Sequence, residues 1–437
     1  MFPQRGIAAS KTREENMFRL ADIPNLRHLR MVQVIGKLGG VSCASRELST
    51  SQPAVTQAVA NIEAEIGLPI FERCATGTYP TTIGKQFLLR IDRFFDTLDT
   101  ALAQVLGRPD GAADRIPPRI ERLATGTQLR ALIVTCEQGR VSEIADSLGL
   151  SPASLFRSAR SFERALGKQL FDRTAQGPIP NRTGNYLARE FRRAVRELEL
   201  ARGEVLLAAG TESLELVIGT LPMAGSHDLA EATRRFMSAY PSTKVRLVTG
   251  EYHKLLNDLS NSRIDMIFGM LRRPEWADDV SEEVLFTDNY CLVARVGHAL
   301  TRLENVTPSD LAGYEWVVPQ KGTPRRNRIE QIFADEPVRP KFHLETSSLT
   351  MIRSLLLNSE TVTLMTRSEL QNDVELGVLK VLPCRFLDNV LLKGVTTRSD
   401  WLPTAAHNAF LDCLREVTGK TNHAGKPDSG SDIRMAS

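Results

Sequence analysis

Ser51-Gln52-Pro53-Ala54-Val55-Thr56-Gln57 opens a segment that runs to Ile66-Gly67, and 100 residues later Ser151-Pro152-Ala153-Ser154-Leu155-Phe156-Arg157 opens another that runs to Leu166-Gly167. Without gaps, residues 39–84 match 139–184 at 13 of 46 positions, including Gly39, Val41, Ser51, Glu63, Gly67, Phe71, Arg73 and Gly84. Average residue usage gives about three by chance. A unit that occurs twice at this period is a duplicated small domain and not a solenoid.

Each copy reads as helix, tight turn, helix and extended arm. Leu29, Val32, Ile35 and Leu38 recur at helical spacing until Gly39-Gly40 stops the first helix. Ser42 is placed to cap a short second helix carrying Ala44 and Leu48. Ser51 is placed to cap a third, with Pro53 in its first turn and Val55, Val59, Ile62 and Ile66 as its buried stripe. Leu68 to Tyr79 alternates like a β-wing. Copy 2 repeats the plan through Ile144, Leu148, Leu155, Phe162, Leu166 and Gly167.

The third helices differ in what they leave for solvent. Copy 1 offers Gln52, Ala54, Thr56, Gln57 and Asn61 with a net charge of −2 over 51–66, short polar groups suited to base edges. Copy 2 offers Ser151, Ser154, Arg157, Ser158, Arg160 and Arg164 with +2 over the same window. Copy 1 therefore reads as a sequence reader. Copy 2 reads as a backbone binder, or as a guanine reader through Arg157; helical scaffold with a solvated face is the alternative for either.

These residues resemble the winged helix-turn-helix of the LysR-type transcriptional regulators. Copy 1 carries Gly40-Val41-Ser42, Ser51-Gln52-Pro53-Ala54-Val55-Thr56, Ile62-Glu63, Ile66-Gly67, Phe71-Glu72-Arg73 and Thr82-Ile83-Gly84. Copy 2 carries Ser151-Pro152-Ala153-Ser154, Phe162-Glu163, Leu166-Gly167, Leu170-Phe171-Asp172-Arg173 and Thr183-Gly184, without the glutamine after the serine. In the family this helix enters the major groove and the wing touches phosphates. The resemblance thus implies double-stranded DNA as partner of Ser51, Gln52, Pro53, Thr56, Gln57, Arg73 and Thr82, and of Ser151, Pro152, Ser154, Arg157, Arg173 and Thr183. A structural ion pair is the alternative for Arg73 and Arg173. An ordinary member has one such unit and one linker helix, so the duplication departs from the pattern.

After each wing an amphipathic stretch follows, with Phe87, Ile91, Phe94, Phe95, Leu98 and Leu102 in one and Leu187, Phe191, Val195, Leu198, Val205 and Leu206 in the other. The resemblance makes these dimerisation helices; packing on the home unit is the alternative. From Leu214 strands alternate with helices, the pattern of a parallel α/β sheet with crossover helices. The strands fall at Leu214–Ile218, Val245–Thr249, Ile264–Phe268, Trp316–Pro319, Phe342–Thr346 and Val362–Met365, and Leu391–Thr396 crosses back.

The expected organisation is a disordered extension (1–23), winged unit 1 (24–84), linker helix (85–106), flexible linker (107–118), winged unit 2 (119–184), linker or dimerisation helix (185–210), effector-binding domain (211–418) and disordered tail (419–437). The fold class is α/β, with two winged helix-turn-helix units and long linker helices ahead of a two-lobed, periplasmic-binding-protein-like domain. Ligands in such sheets sit beyond the carboxyl ends of strands, at helix N-termini. That places Thr220, Leu221, Met223, Ser226, Thr323, Ser347 and Ser348 around a small-molecule effector, a small anion such as a carboxylate or sugar acid. For Thr220, Ser347 and Ser348 plain helix capping is the alternative.

Composition agrees with this and excludes other classes. The chain of 437 residues is 42% apolar and 24% charged, a globular profile. Residues 1–210 hold 29 basic and 22 acidic side chains, and the rest is net acidic, as for a polyanion-binding module ahead of a sensing one. The six cysteines have no paired spacing, so no metal site, cofactor or disulfide framework is expected. No apolar run approaches the ~18 residues of a membrane span, and a cytoplasmic protein without membrane contact is expected. Ser226-His227-Asp228 cannot converge as a triad because its members are adjacent, and Gly77 to Lys85 misses the spacing of a P-loop, so no enzyme is expected. The reading is a ligand-responsive DNA-binding regulator that forms a homo-oligomer, dimer or tetramer, with RNA polymerase as a further partner. The alternative is an architectural DNA binder whose second half serves oligomerisation only.

Overall fold

The computed structural model describes residues 23–74, 77–107, 119–137, 139–175, 177–208, 214–222, 226–272, 279–337, 340, 342 and 344–424. The extension before residue 23, most of the 107–118 linker, Met223 and the tail beyond 424 lie outside the described residues. Two compact units result, Met1–Glu212 and Ser213–Ser437. Among the described residues no helix is long and apolar enough to cross a membrane.

The first unit holds the repeat. Copy 1 consists of α1 (Leu26–Leu38), α2 (Val41–Glu47), α3 (Gln52–Ile66), the hairpin β1 (Phe71–Cys74) and β2 (Gly77–Pro80), and the long α4 (Thr82–Leu106). A short α5 (Ile120–Leu123) precedes copy 2, which has α6 (Gly126–Thr135), α7 (Val141–Ser147), α8 (Pro152–Leu166), β3 (Phe171–Thr174), β4 (Gly177–Pro180) and α9 (Arg182–Ala208). Ser51 Oγ accepts from Ala54 N at 3.4 Å and Ser151 Oγ from Ser154 N at 3.2 Å, so both serines cap as their position suggests. Ser42 does not. Gly40 is the N-cap of α2 with no side-chain bond, and Ser42 is the second residue of the helix, its carbonyl accepting from Ser45 Oγ.

Two further repeated residues fix each wing. Glu63 Oε1 accepts from the N–H groups of Ile70 and Phe71 at 2.8 and 3.1 Å, and Glu163 Oε2 from Leu170 and Phe171 at 2.7 and 3.0 Å. A carboxylate on the third helix thereby satisfies the donors at the start of the first wing strand. Burial acts against the Glu163 charge, but these N–H groups and Arg160 hold its carboxyl below the usual carboxylate range. A Cβ at Gly84 would lie 1.9 Å from the Ile70 carbonyl oxygen, and one at Gly184 2.3 Å from that of Leu170. Only glycine lets the long helix leave the wing this closely.

α4 and α9 lie against each other and run antiparallel. Arg90 Nη1 donates to Glu197 Oε2 at 2.8 Å and its Nε to Glu204 Oε2 at 3.1 Å; Arg93 Nε reaches Glu197 Oε1 at 3.0 Å. Near the other end of α4, Tyr186 Oη donates to Gln104 Oε1 at 2.5 Å. Arg90 is 2% exposed. Burial works against its charge, yet the two glutamates raise its pKa above the ordinary arginine value. One apolar core runs through both copies, with Ile91, Phe94, Phe95 and Leu98 from α4 and Phe191 and Val195 from α9.

Each long helix is also tied to the C-terminal end of the first helix of its own copy or the residues just past it, with opposite charge order. Lys37 Nζ meets Asp92 Oδ1 at 3.1 Å in copy 1, whereas the equivalent pair in copy 2 is Glu137 Oε1 with Arg192 Nη2 at 2.8 Å. Copy 1 adds the buried Arg30, which lies 3.7 Å over the Phe95 ring and binds Asp99 and Glu121, drawing α1, α4 and α5 together.

The second unit is built from β5 (Glu215–Thr220), α10 (Ser226–Ala239), β6 (Lys244–Thr249), α11 (Tyr252–Ser260), β7 (Met266–Met270), β8 (Val280–Arg295), α12 (Pro308–Leu311), β9 (Val317–Val318), α13 (Pro324–Ile332), β10 (Leu344–Glu345), α14 (Leu349–Asn358), β11 (Thr363–Thr366), α15 (Arg367–Glu375), β12 (Leu379–Val381), β13 (Val390–Arg398) and α16 (Ala405–Ala424). β5 pairs in parallel with β6 and β7, and β9 with β10, as the alternating pattern predicts. The sheet is mixed, not purely parallel. β13 lies antiparallel between β7 and β8, and β8 also pairs antiparallel with β11 and β12. β8 and β13 are the two crossings between the lobes. The last helix passes residue 418 and runs to Ala424.

Gly84→Ala and Gly184→Ala should each cost about 1–3 kcal/mol in denaturant unfolding, because carbonyl backbone must give way. Gly313→Ala, with nothing within 4 Å, is the neutral control. Arg90→Ala should cost about 3–5 kcal/mol, since it takes the buried guanidinium from both Glu197 and Glu204 and leaves Glu197 only the half-exposed Arg93; a loss no greater than that of an exposed arginine would refute the role of this ion pair.

Candidate DNA-reading helices and effector cleft

On α3 the residues Ser51, Gln52, Pro53, Thr56 and Gln57 are all exposed, while Val55, Ala58 and Ile62 are buried. The predicted stripe is thus narrower than drawn, with Val59 and Ile66 half-buried. Gln57 Nε2 donates to Asn61 Oδ1 at 2.8 Å, which holds the two amides as a connected pair on the solvent face. Thr82, at the first position of α4, is exposed beside the wing. The side chain of Arg73 lies outside the described residues.

On α8 Ser151 and Arg157 are exposed, and Pro152 and Ser154 half-buried. The Ser154 hydroxyl donates to the Ser151 carbonyl at 2.7 Å. Phe156 stands where copy 1 has Thr56 and packs edge-on against Phe171, with ring centroids 6.3 Å apart. Arg160 is turned away from the role the sequence suggests, since it pairs with Glu163 and lies over the Phe171 ring at 5.2 Å. Arg157 is therefore the exposed cation of the central helix face. Arg173 is exposed in the wing and makes no ion pair among the described residues, which removes the structural alternative for it. Thr183 is half-buried in the first turn of α9.

In the second unit a cleft of about 640 Å³ opens between the lobes. Leu221, Thr323 and Ser347 line it, as expected from the strand ends. Thr220 lies beneath, buried, with its hydroxyl 3.1 Å from that of Thr249. Ser348 is the N-cap of α14, accepting from Met351 N at 3.4 Å, and does not line the cleft. Thr323 also caps, accepting from Arg326 N at 3.3 Å. Met223 and the Ser226 side chain lie outside the described residues. Ser226, His227 and Asp228 are successive residues in the first turn of α10.

The charged lining escaped the sequence reading. Lys393 on β13 meets Asp288 on β8 at 2.6 Å, both buried, and its ammonium also donates to Thr366 Oγ1 at 2.8 Å and Ser368 Oγ at 2.6 Å. Burial raises the Asp288 pKa, but Lys393 and these hydrogen bonds prevail and hold it low. Arg325, at the start of α13, is bound by both oxygens of Glu369 at 2.6 and 2.7 Å and lies 5.8 Å over Tyr290. Two of the lining cations are thus neutralised by the protein itself. Arg272 is different. Its guanidinium lies 4.3 Å over the Tyr252 ring, burial lowers its pKa, and its buried Nε has no hydrogen-bond partner among the described residues. The buried Tyr252 hydroxyl likewise lacks a partner, and burial raises its pKa, so it stays a donor. Arg272 stands just past the carboxyl end of β7, where the rule used for Thr220 and Ser347 would have found it had it been applied to that strand.

Comparison with known proteins agrees with both halves. Residues 26–85 and 127–185 each match the bacterial regulatory helix-turn-helix proteins of the lysR family, and residues 209–419 match the LysR substrate binding domain. The HTH-type transcriptional regulator GalR of Pseudomonas putida is 29% identical over 399 residues, 91% of this chain and 98% of that protein. PcaQ of Agrobacterium fabrum, also an HTH-type transcriptional regulator, is 25% identical over 294 residues, 67% of this chain and 94% of its own. Among solved structures a full-length OxyR variant from Pseudomonas aeruginosa matches at 20% identity with a TM-score of 0.49, covering 66% of this chain and 97% of that one. The chain belongs to the LysR-type transcriptional regulators, and carries that family's DNA-binding unit twice ahead of one effector-binding domain.

Proposed function

We propose that this regulator reads DNA through both α3 and α8 and responds to a small carboxylate held in the cleft of its second unit. For DNA, support comes from the third helices, which leave Gln52, Thr56 and Gln57 in one copy and Arg157 in the other facing solvent on capped, rigid supports. Glutamine amides suit adenine edges, and an arginine suits guanine. Arg173 and Thr82 sit on or beside the wings, where phosphate contact is expected.

The effector class rests on Arg272. A half-buried guanidinium whose buried Nε has no partner among the described residues, beside a tyrosine hydroxyl in the same state, is a costly arrangement that an anionic ligand would relieve. Ser347 and Thr323 add hydroxyls across the cleft. Lys393 and Arg325 are already neutralised, which leaves Arg272 and the exposed Lys321 as the cations that a small anion would meet. The volume is that of ordinary small-molecule sites. Nothing in this arrangement sets a nucleophile beside a base, and we read the protein as a sensor without catalysis, working as a homo-oligomer.

In selection from random DNA, Gln57→Ala should relax preference at particular base pairs by about 1–3 kcal/mol each. Arg173→Ala should weaken all sequences alike and lower the salt dependence by about one unit of slope per contact; identical specificity and salt profiles for both variants would contradict these roles. A panel of small carboxylates and sugar acids should include one that raises the thermal midpoint, and Arg272→Gln should weaken that ligand about 10–100-fold. A chain that retains DNA and yields no shift with any acid would instead favour the architectural reading.

A further inference from the structure

We infer that one chain is a complete pair of unlike DNA readers, held together in cis because α4 and α9 are charge-matched to each other and to no second copy of themselves. The inference rests on the DNA-reading proposal above for its second half only. The contacts between the long helices follow a pseudo-twofold axis: Arg90 meets Glu197 and Glu204, and Tyr186 meets Gln104, so positions in the two copies pair in reverse order. Such an axis is what two identical chains would make. Here the residues across it are not identical. The counterpart of Arg90 in copy 2 is Glu190, and the counterparts of Glu197 and Glu204 in copy 1 are Thr97 and Gln104.

Three pairings are therefore unequal. α4 against α9 places one arginine between two glutamates. α4 against a second α4 would bury Arg90 opposite Thr97 and Gln104, with no carboxylate to meet it. α9 against a second α9 would keep a cation for Glu197 in Arg193, the counterpart of Arg93, but would set Glu190 where Arg90 now meets Glu197 and Glu204. Both like-with-like pairings leave buried charge uncompensated or repelling, whereas the observed one compensates it. Covalent connection adds to this, since α4 and α9 belong to one chain with residues 107–181 between them, which gives each a high local concentration of the other.

The axis relates α3 to α8, and these helices carry different side chains at matching positions. Gln52 faces Pro152, Thr56 faces Phe156, Gln57 faces Arg157 and Asn61 faces Ser161 across the repeat. Two related reading helices with unlike faces call for an operator of two unlike halves, not a palindrome, with one chain filling both.

The test uses the full chain carrying Gln104→Cys and Tyr186→Cys, mixed in two lengths and oxidised, with the parent and each single cysteine variant as controls for the six native thiols. Linkage within one chain, with monomer mobility that shifts on reduction, is expected. Disulfide-linked dimers of mixed length, or no link specific to the pair, would overturn the cis pairing. The same chain is then selected on random DNA, where Gln57→Arg should change base preference in one half of the site by tenfold or more and Arg157→Gln in the other. A palindromic site in which each variant alters both halves would overturn the unlike-reader inference. Absence of DNA binding altogether, with the intrachain link formed, would sink the DNA-reading proposal and leave the pairing standing.

Discussion

A guanidinium withdrawn from water sets the terms for the first unit. Arg90 is held among apolar side chains of two long helices, and its charge is tolerable only where Glu197 and Glu204 meet it. That requirement fixes the register of α4 against α9, which the greasy contacts of Phe94, Phe95, Phe191 and Val195 alone would leave free to slide. Everything else in the unit hangs from this register. Each long helix leaves its wing through a glycine with no room for a side chain, and each wing is fastened to its third helix by the carboxylate of Glu63 or Glu163. A chain of supports thus runs from the helix pair to both third helices.

What could be read from sequence is what obeys local rules. The capping serines, the terminating glycines, the 100-residue period and the apolar stripes of α3, α4, α8 and α9 all announce themselves in a window of a few residues. What escaped depends on partners distant in the chain. The amphipathic stripes of α4 and α9 said that something covers them, without saying that each covers the other. The long strand β8 mixes Ser281, Glu282, Glu283, Asp288 and Asn289 with apolar residues, since one stretch of it crosses between lobes and another lies under a helix, so no single alternation survives. The buried pairs of the cleft were missed because an isolated Lys393, Asp288 or Arg325 in a sequence looks like surface. Arg160 misled in the reverse direction, as a cation on a reading helix that is in fact occupied by Glu163.

The second unit spends charge where the lobes join. Asp288 and Lys393 come from the two crossing strands, and Thr366 and Ser368 bring the start of α15 to the same ammonium. The junction is thus polar, buried and fully partnered, while the neighbouring Arg272 is neither paired nor free in water. One incomplete donor thus stands beside a completed network, and the two differ in what a ligand could add to them.

The opposite charge order of Lys37 with Asp92 and Glu137 with Arg192 bears on how such a chain persists as a gene. A direct repeat of 100 codons invites unequal exchange, which would fuse the start of one copy to the end of the other and restore a single-headed protein. A crossover between the first and last helices of the repeat would join α1 to α9 and set Lys37 beside Arg192, two cations at the root of the only remaining head. That product would leave the buried Arg192 without the carboxylate of Glu137 and place a cation beside it, so its single head would fold less stably than either parent copy.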